Sequence, residues 1–175
     1  LESDEDKLSA FNKIRNLFLK VNLTEQNQLL KIITGNEEKK NYANLCLNLE
    51  EIRSLDQDPL ITIGSHTHTH PNLKNLSSNE VELEIKKSLS ILENLLQHKI
   101  KHFSYPYGDK NAVSSREIEI VKKLSFNSAV TTQIYPVSSK NIFSLPRIFV
   151  GNDTCDRTLI NHLTGFYNLF KFFIK

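Results

Sequence analysis

Apolar residues recur at helical spacing from the start of the chain. Ala10, Phe11, Ile14, Leu17 and Phe18 share one face of a helix over residues 9–20, and Leu29, Leu30 and Ile33 mark a second. Thr24 is the expected cap of that second helix and Gly35 its stop. The polar stretch 36–42 is a loop, and Asn48 opens a short capped helix with Glu50, Glu51 and Ile52. The pattern then changes period. Leu60-Ile61-Thr62-Ile63 is a β-branched run that predicts a strand, and similar short runs follow at 102–105, 128–132 and 144–148. Helices are predicted between and after them. Ser77 and Glu80 form a capping box for a long amphipathic helix to about residue 97, carrying Val81, Leu83, Ile85, Leu89, Leu92 and Leu95. Ser114 or Ser115 begins another through Ile118, Val121 and Leu124, and residues 156–163 make a third. Short strands alternating with helices predict an α/β layout with a largely parallel sheet, whose functional residues lie at the C-terminal ends of the strands.

Composition changes this picture little. The 175 residues are 39% hydrophobic and 24% charged, ordinary for one globular domain. A net charge of +2, with lysines spread along helices, gives no reason to expect nucleic acid or an anionic membrane surface. The apolar tail 165–175 is far shorter than the roughly 20 residues of a transmembrane span and is expected to pack. Cys46 and Cys155 lack metal-type spacing and are read as small buried hydrophobes.

Chemistry concentrates in Gly64-Ser65-His66-Thr67-His68-Thr69-His70-Pro71, directly after the first predicted strand. Imidazole is the commonest neutral metal ligand. In a turn, His66 and His70 would face one ion; in an extended segment all three rings would share a face; a histidine-rich polar turn is the plain alternative. A second segment, His102-Phe103-Ser104-Tyr105-Pro106-Tyr107-Gly108, is again an apolar run ending in a Pro and a Gly, as a strand entering a tight loop does. Held between those two residues, the Tyr107 backbone N–H suits a position aimed at an oxyanion.

In this order the two motifs resemble the polysaccharide deacetylases of the NodB-homology family. The resemblance implies an irregular (β/α) barrel of about seven strands. Residues 47–175 would be its C-terminal portion, and residues 1–46 an α-helical insertion or linking segment. It implies metal-dependent hydrolysis of acetyl groups, on nitrogen or oxygen, from an acetylated polysaccharide or oligosaccharide. A divalent metal, zinc by resemblance, would be held by His66 and His70. Thr67 matches the family's hydroxyl residue and His68 a bystander position. The Tyr107 N–H would help bind the acetyl carbonyl. Arg147, in Leu145-Pro146-Arg147-Ile148, would supply a charge that many relatives carry before the second motif, and His162, in Ile160-Asn161-His162, would be the general acid. His98 and His102 are expected to be structural.

The family's third ligand and general base are aspartates in an Asp-Asp motif, and this chain has no Asp-Asp pair. Asp4, Asp6, Asp56 and Asp58 are read instead as solvated charges or a helix stop. The chain also has no methionine and opens on Leu1. It is therefore expected to be the C-terminal part of a longer deacetylase, self-associating when isolated. The competing expectation is a non-catalytic carbohydrate-binding or interaction protein on the same fold. The compartment stays open between a bacterial cytoplasm and the cell envelope.

Overall fold

A computed structural model describes residues 3–35, 43–135, 137, 139–152 and 154–164. Capping chemistry decides where its first helices begin. In α1 (Asp4–Phe18) the Ser3 hydroxyl accepts from the Asp6 N–H at 3.1 Å, and the Asp6 carboxylate accepts from the Ser3 N–H at 3.3 Å. The helix thus starts ahead of the position predicted from its apolar residues, because its acidic first turn of Asp4, Glu5 and Asp6 carries no hydrophobic period. Helix α2 (Leu23–Thr34) is capped by Asn22 rather than Thr24: Asn22 Oδ1 takes the Glu25 N–H at 3.0 Å and Glu25 returns the bond at 2.9 Å. Neither helix contains a buried residue, and Phe11, Leu17, Leu30 and Ile33 stay exposed. Asn48 caps α3 (Leu49–Asp56), as expected from its sequence.

The core forms where α4 (Ser78–Leu96) and α5 (Ser115–Lys123) cover the parallel pair β1 (His102–Ser104) and β2 (Ser128–Val130). Phe103 stands opposite Ala129 in the ladder. Phe103, Tyr105, Leu73, Val81, Ile85, Val121 and Ala129 are buried together, each large side chain contributing about 1.5–3 kcal/mol by leaving water. Single parallel bridges extend the ladder on both sides, from Ser65 to Phe103 and from Leu145 to Val130. Four segments therefore lie side by side in sequence order, with α4 and α5 as the crossovers between the first three. This is the β–α–β logic of a parallel α/β fold.

Two predicted strands contract to these bridges. Leu60 is 93% exposed, the Leu60 and Ile61 N–H groups turn back to Asp58, and pairing with the next strand comes only at Ser65, whose N–H and C=O bond His102 and Ser104 at 2.9 Å each. A β-branched run does not become a strand without a partner for its backbone. The run at 144–148 likewise pairs only at Leu145, whose N–H bonds the Ala129 carbonyl and whose carbonyl takes the Thr131 N–H. Cys46 and Cys155 are exposed, contrary to the expectation of buried thiols; neither sits on a face that packs against the core. No helix among the described residues is long and apolar enough to cross a membrane, and the tail 165–175 lies outside them. Helix α6 (Asp156–Leu163) forms where its pattern predicted it.

Candidate functional site

Ser65 is the anchor of the histidine turn. It is buried, and its hydroxyl pairs with that of Ser88 on α4 at 3.0 Å, so the chain enters the turn from a fixed point. Thr67 (φ +67°) and His70 (φ +56°) then adopt left-handed backbone conformations, rare for residues with a Cβ and rarer still for a β-branched one. Hydrogen bonds hold the strain. Thr67 Oγ1 accepts the His70 N–H at 3.2 Å. The Glu84 carboxylate, reaching over from α4, accepts from the His68 N–H (3.1 Å), the Thr69 N–H (2.8 Å) and the Thr69 hydroxyl (2.9 Å). Cooperating this way, they fold the turn so that the His66 and His70 rings meet edge-on, centroids 4.8 Å apart. The segment is a turn and not an extended strand; His68 joins this network through its amide, and its ring is exposed.

His66 Nδ1 lies 2.6 Å from the Ser104 carbonyl oxygen. A carbonyl only accepts, so Nδ1 carries a proton, and in the neutral ring Nε2 is the nitrogen with the lone pair. His70 is held below the ordinary imidazole range, first by burial against its neighbours and then by His66, although its ring still reaches solvent. Both effects favour the neutral His70 ring, the form that binds a metal.

Tyr107 approaches from the second strand end, its ring centroid 4.9 Å from that of His70. Its φ of +60° is followed by +70° at Gly108. Gly108 is required there: a Cβ would sit 2.8 Å from the Thr132 backbone nitrogen. Thr132 clamps the loop by donating from its N–H to the Gly108 carbonyl (3.0 Å) and from its hydroxyl to the Tyr107 carbonyl (2.8 Å). Tyr107 therefore has its carbonyl occupied, while its N–H meets no protein acceptor among the described residues.

No hydrogen bond or ring contact joins the other candidate residues to this trio among the described side chains. Arg147 Nε donates to the Thr131 carbonyl at 2.9 Å, bracing the strand end that precedes Thr132. His162 falls in α6, with its side chain outside the described part of the structure. Asp4 pairs with Lys7, Asp6 caps α1, Asp56 accepts from His98 Nε2 at 2.7 Å, and Asp58 accepts the Leu60 N–H at 2.8 Å. These contacts agree with the reading of the four aspartates as solvated charges and helix ends, and His102 is likewise structural, its Nδ1 2.8 Å from the Ser128 hydroxyl. Among the described residues no group of three histidine, cysteine, aspartate or glutamate side chains is placed to hold a metal ion. The His66 and His70 rings are adjacent, and the described donors do not complete a metal site around them.

Glu84 and Thr132 hold the site together, yet nothing in the sequence marks them. One is an acid on a helix face and the other a hydroxyl at a strand end. Nor does the sequence mark the part Ser104 plays. Its carbonyl sets the His66 tautomer, and its own hydroxyl is buried with no partner among the described residues.

Comparison with known proteins identifies the family. The family model for polysaccharide deacetylase matches residues 24–140, more than half of the chain. A chitooligosaccharide deacetylase of Azorhizobium caulinodans is 36% identical over 63 residues, covering 35% of this chain and 29% of that protein. The Streptococcus pyogenes deacetylase PplD, solved in complex with acetate, superposes with a TM-score of 0.60 and 25% identity over 66% of this chain and 50% of its own. The polysaccharide deacetylase BC0361 from Bacillus cereus gives 0.58 and 20% identity over 67% of this chain and 37% of its own, a likeness of fold. The chain thus spans half or less of these relatives.

Proposed function

Because this chain belongs to the polysaccharide deacetylase family, we propose that it carries the histidine half of a centre that hydrolyses acetyl groups from a carbohydrate. The observation that supports this reading is the convergence of His66, His70 and Tyr107 at two neighbouring parallel strand ends. His66 and His70 would hold a divalent metal, zinc by preference for imidazole, through nitrogens left unprotonated. When bound, such an ion polarises a carbonyl and acidifies water. The Tyr107 N–H would donate to the acetyl oxygen as negative charge gathers there, an interaction stronger in the transition state than in the ground state. Thr132 and Gly108 keep that N–H aimed, so no reorganisation accompanies the reaction. The third metal donor and the base would come from outside the described residues, since Glu84 is committed to the turn. The substrate would be an acetylated polysaccharide or oligosaccharide. Chitooligosaccharides are the first to try, given the name of the Azorhizobium relative.

The test is acetate release from acetylated chitooligosaccharides by the natural full-length product, with zinc. His66→Ala and His70→Ala should each abolish it, and His68→Ala should not. Undiminished release by both variants would overturn the proposal. The incomplete donor set among the described residues favours one second reading, a carbohydrate-binding protein on this fold; saturable sugar binding with no acetate release would select it.

A further inference from the structure

Helix α1 turns its apolar stripe away from its own protein. It meets the rest of the chain at its C-terminal end, where the Leu19 carbonyl accepts from Asn75 Nδ2 at 2.8 Å and from Asn72 Nδ2 at 3.4 Å, with Asn16 and Leu19 facing the Tyr107 loop. At about 3.6 residues per turn, Phe11, Ile14 and Leu17 centre on the opposite side of the helix. All three are exposed there, Phe11 by 62%, and Leu8 is exposed beside them. An amphipathic helix buries such a stripe when it can, so this one is a contact surface without its partner.

We infer that α1 pairs antiparallel with α1 of a second copy of this chain, across a two-fold axis between Ser9 and Ala10. Charge selects both the occupant and the direction. One flank of the stripe carries Asp4 and Arg15, and the other carries Asp6 and Lys13. On each flank the acid lies in the first turn and the base in the later turns. The axis sets Asp4 against the partner's Arg15 and Asp6 against the partner's Lys13, and it lays Phe11 on the partner's Leu8. The two flanks have different spacings, yet one axis satisfies both. Parallel pairing would instead set the two acidic first turns against each other, and an anionic bilayer would be repelled by the acids on both flanks. The charges are available for these contacts. Lys13 and Arg15 form no ion pair among the described residues. Asp4 has an exposed pair with Lys7 at 2.9 Å, which contributes little, and Asp6 uses one carboxylate oxygen for the Ser3 cap and keeps the other. A contact between two helices of 15 residues is at the small end of specific interfaces, so the dimer dissociates in the micromolar range. Its consequence is that the two His66–His70–Tyr107 sites lie on the outer sides of the helix pair. The inference does not depend on the deacetylase reading of those sites.

The experiment is sedimentation velocity on the 175-residue chain over a concentration series. The parent should dimerise, and Phe11→Asn should weaken dimerisation at least about 10-fold. Asp4→Arg and Arg15→Asp should each weaken it about 5-fold or more at low salt, whereas an equimolar mixture of the two should recover the parent affinity, because every charge then meets its opposite. The replaced side chains are exposed, and matching thermal melts at dilution confirm that the variants fold. A parent that stays monomeric, association unchanged by Phe11→Asn, or a mixture no tighter than its components would each overturn the inference. Charge reversals without effect would overturn it as well, since parallel pairing or the open edges of the ladder would then carry the contact. Acetate release decides the deacetylase reading separately.

Discussion

His66 Nδ1 lies 2.6 Å from the carbonyl oxygen of Ser104, a residue 38 positions away on the neighbouring strand. That bond fixes which nitrogen of His66 is free. It also makes the orientation of the ring a property of the strand ladder and not of the turn alone.

Zinc binding should therefore depend on His66 and His70 and not on His68. Replacing either of the first two with Ala should weaken zinc affinity at least 10-fold in a calorimetric titration, whereas His68→Ala should change it less than 2-fold; each lost ligand removes a large share of a two-imidazole site. Equal losses in all three variants would remove the assignment.

Residues 1–175 by themselves should not turn over acetylated oligosaccharides at enzyme-like rates. Two imidazoles lack a base, and each aspartate discussed above is engaged elsewhere. Acetate release at roughly 1 per second or faster, with zinc present, would show that a base exists within the chain.

Gly108→Ala should destabilise the protein by about 2–4 kcal/mol, through a left-handed conformation and a Cβ driven into the Thr132 nitrogen. Chemical denaturation measures this directly. Sugar binding should fall as well, because the displaced loop carries Tyr107.

Stability should decline at acid pH through Glu117, which is fully buried. Burial pushes its carboxyl up, but the Ser114 hydroxyl and N–H and the Arg116 guanidinium together bring it below the ordinary value of 4.5. A lowered value means the stabilisation is complete above pH 4.5 and is lost as pH falls through the lower folded value. Glu117→Gln should remove that acid dependence and cost about 2–4 kcal/mol at neutral pH, since Arg116 and the Ser114 cap lose their charged partner. His98 acts in the opposite direction. Raised by its bond to Asp56, it stabilises fully below pH 6.5 and ceases to do so as pH rises through its folded value. Thermal melts across pH 3–8 on the parent and on Glu117→Gln and His98→Ala separate the two.

The chain should self-associate. The apolar residues of α1 and α2, Phe11, Leu17, Leu30 and Ile33 among them, are exposed, and bridges rather than full strands flank β1 and β2. Light scattering should report dimers or larger species. A compact monomer with a cooperative melt would contradict this and favour the non-catalytic reading.

Local chemistry was legible from the sequence wherever one short segment determines the outcome. The capping box of Ser77 and Glu80, the helix beginning at Asn48 and the roles of His66 and His70 as neighbours all depend on residues a few positions apart. What depended on distant partners was not legible. The predicted strand at 60–63 lacks a neighbouring backbone, and Cys46 and Cys155 lack a core to enter. The apolar stripe of α1 was visible, but not that it would face solvent. The tautomer of His66 was invisible for the same reason, because it is decided by a carbonyl on another strand.

Glu84 turns an ordinary outer face of α4 into a structural strut. One partly exposed carboxylate carries three bonds from the turn, and the helix beneath is pinned to the same turn through Ser88 and Ser65. Helix and histidines therefore move as one piece. A charge reversal at position 84, which a surface survey would score as harmless, would set a cation against two backbone N–H groups and release a turn held in left-handed geometry. The aim of both imidazoles thus depends on an acid that touches neither of them.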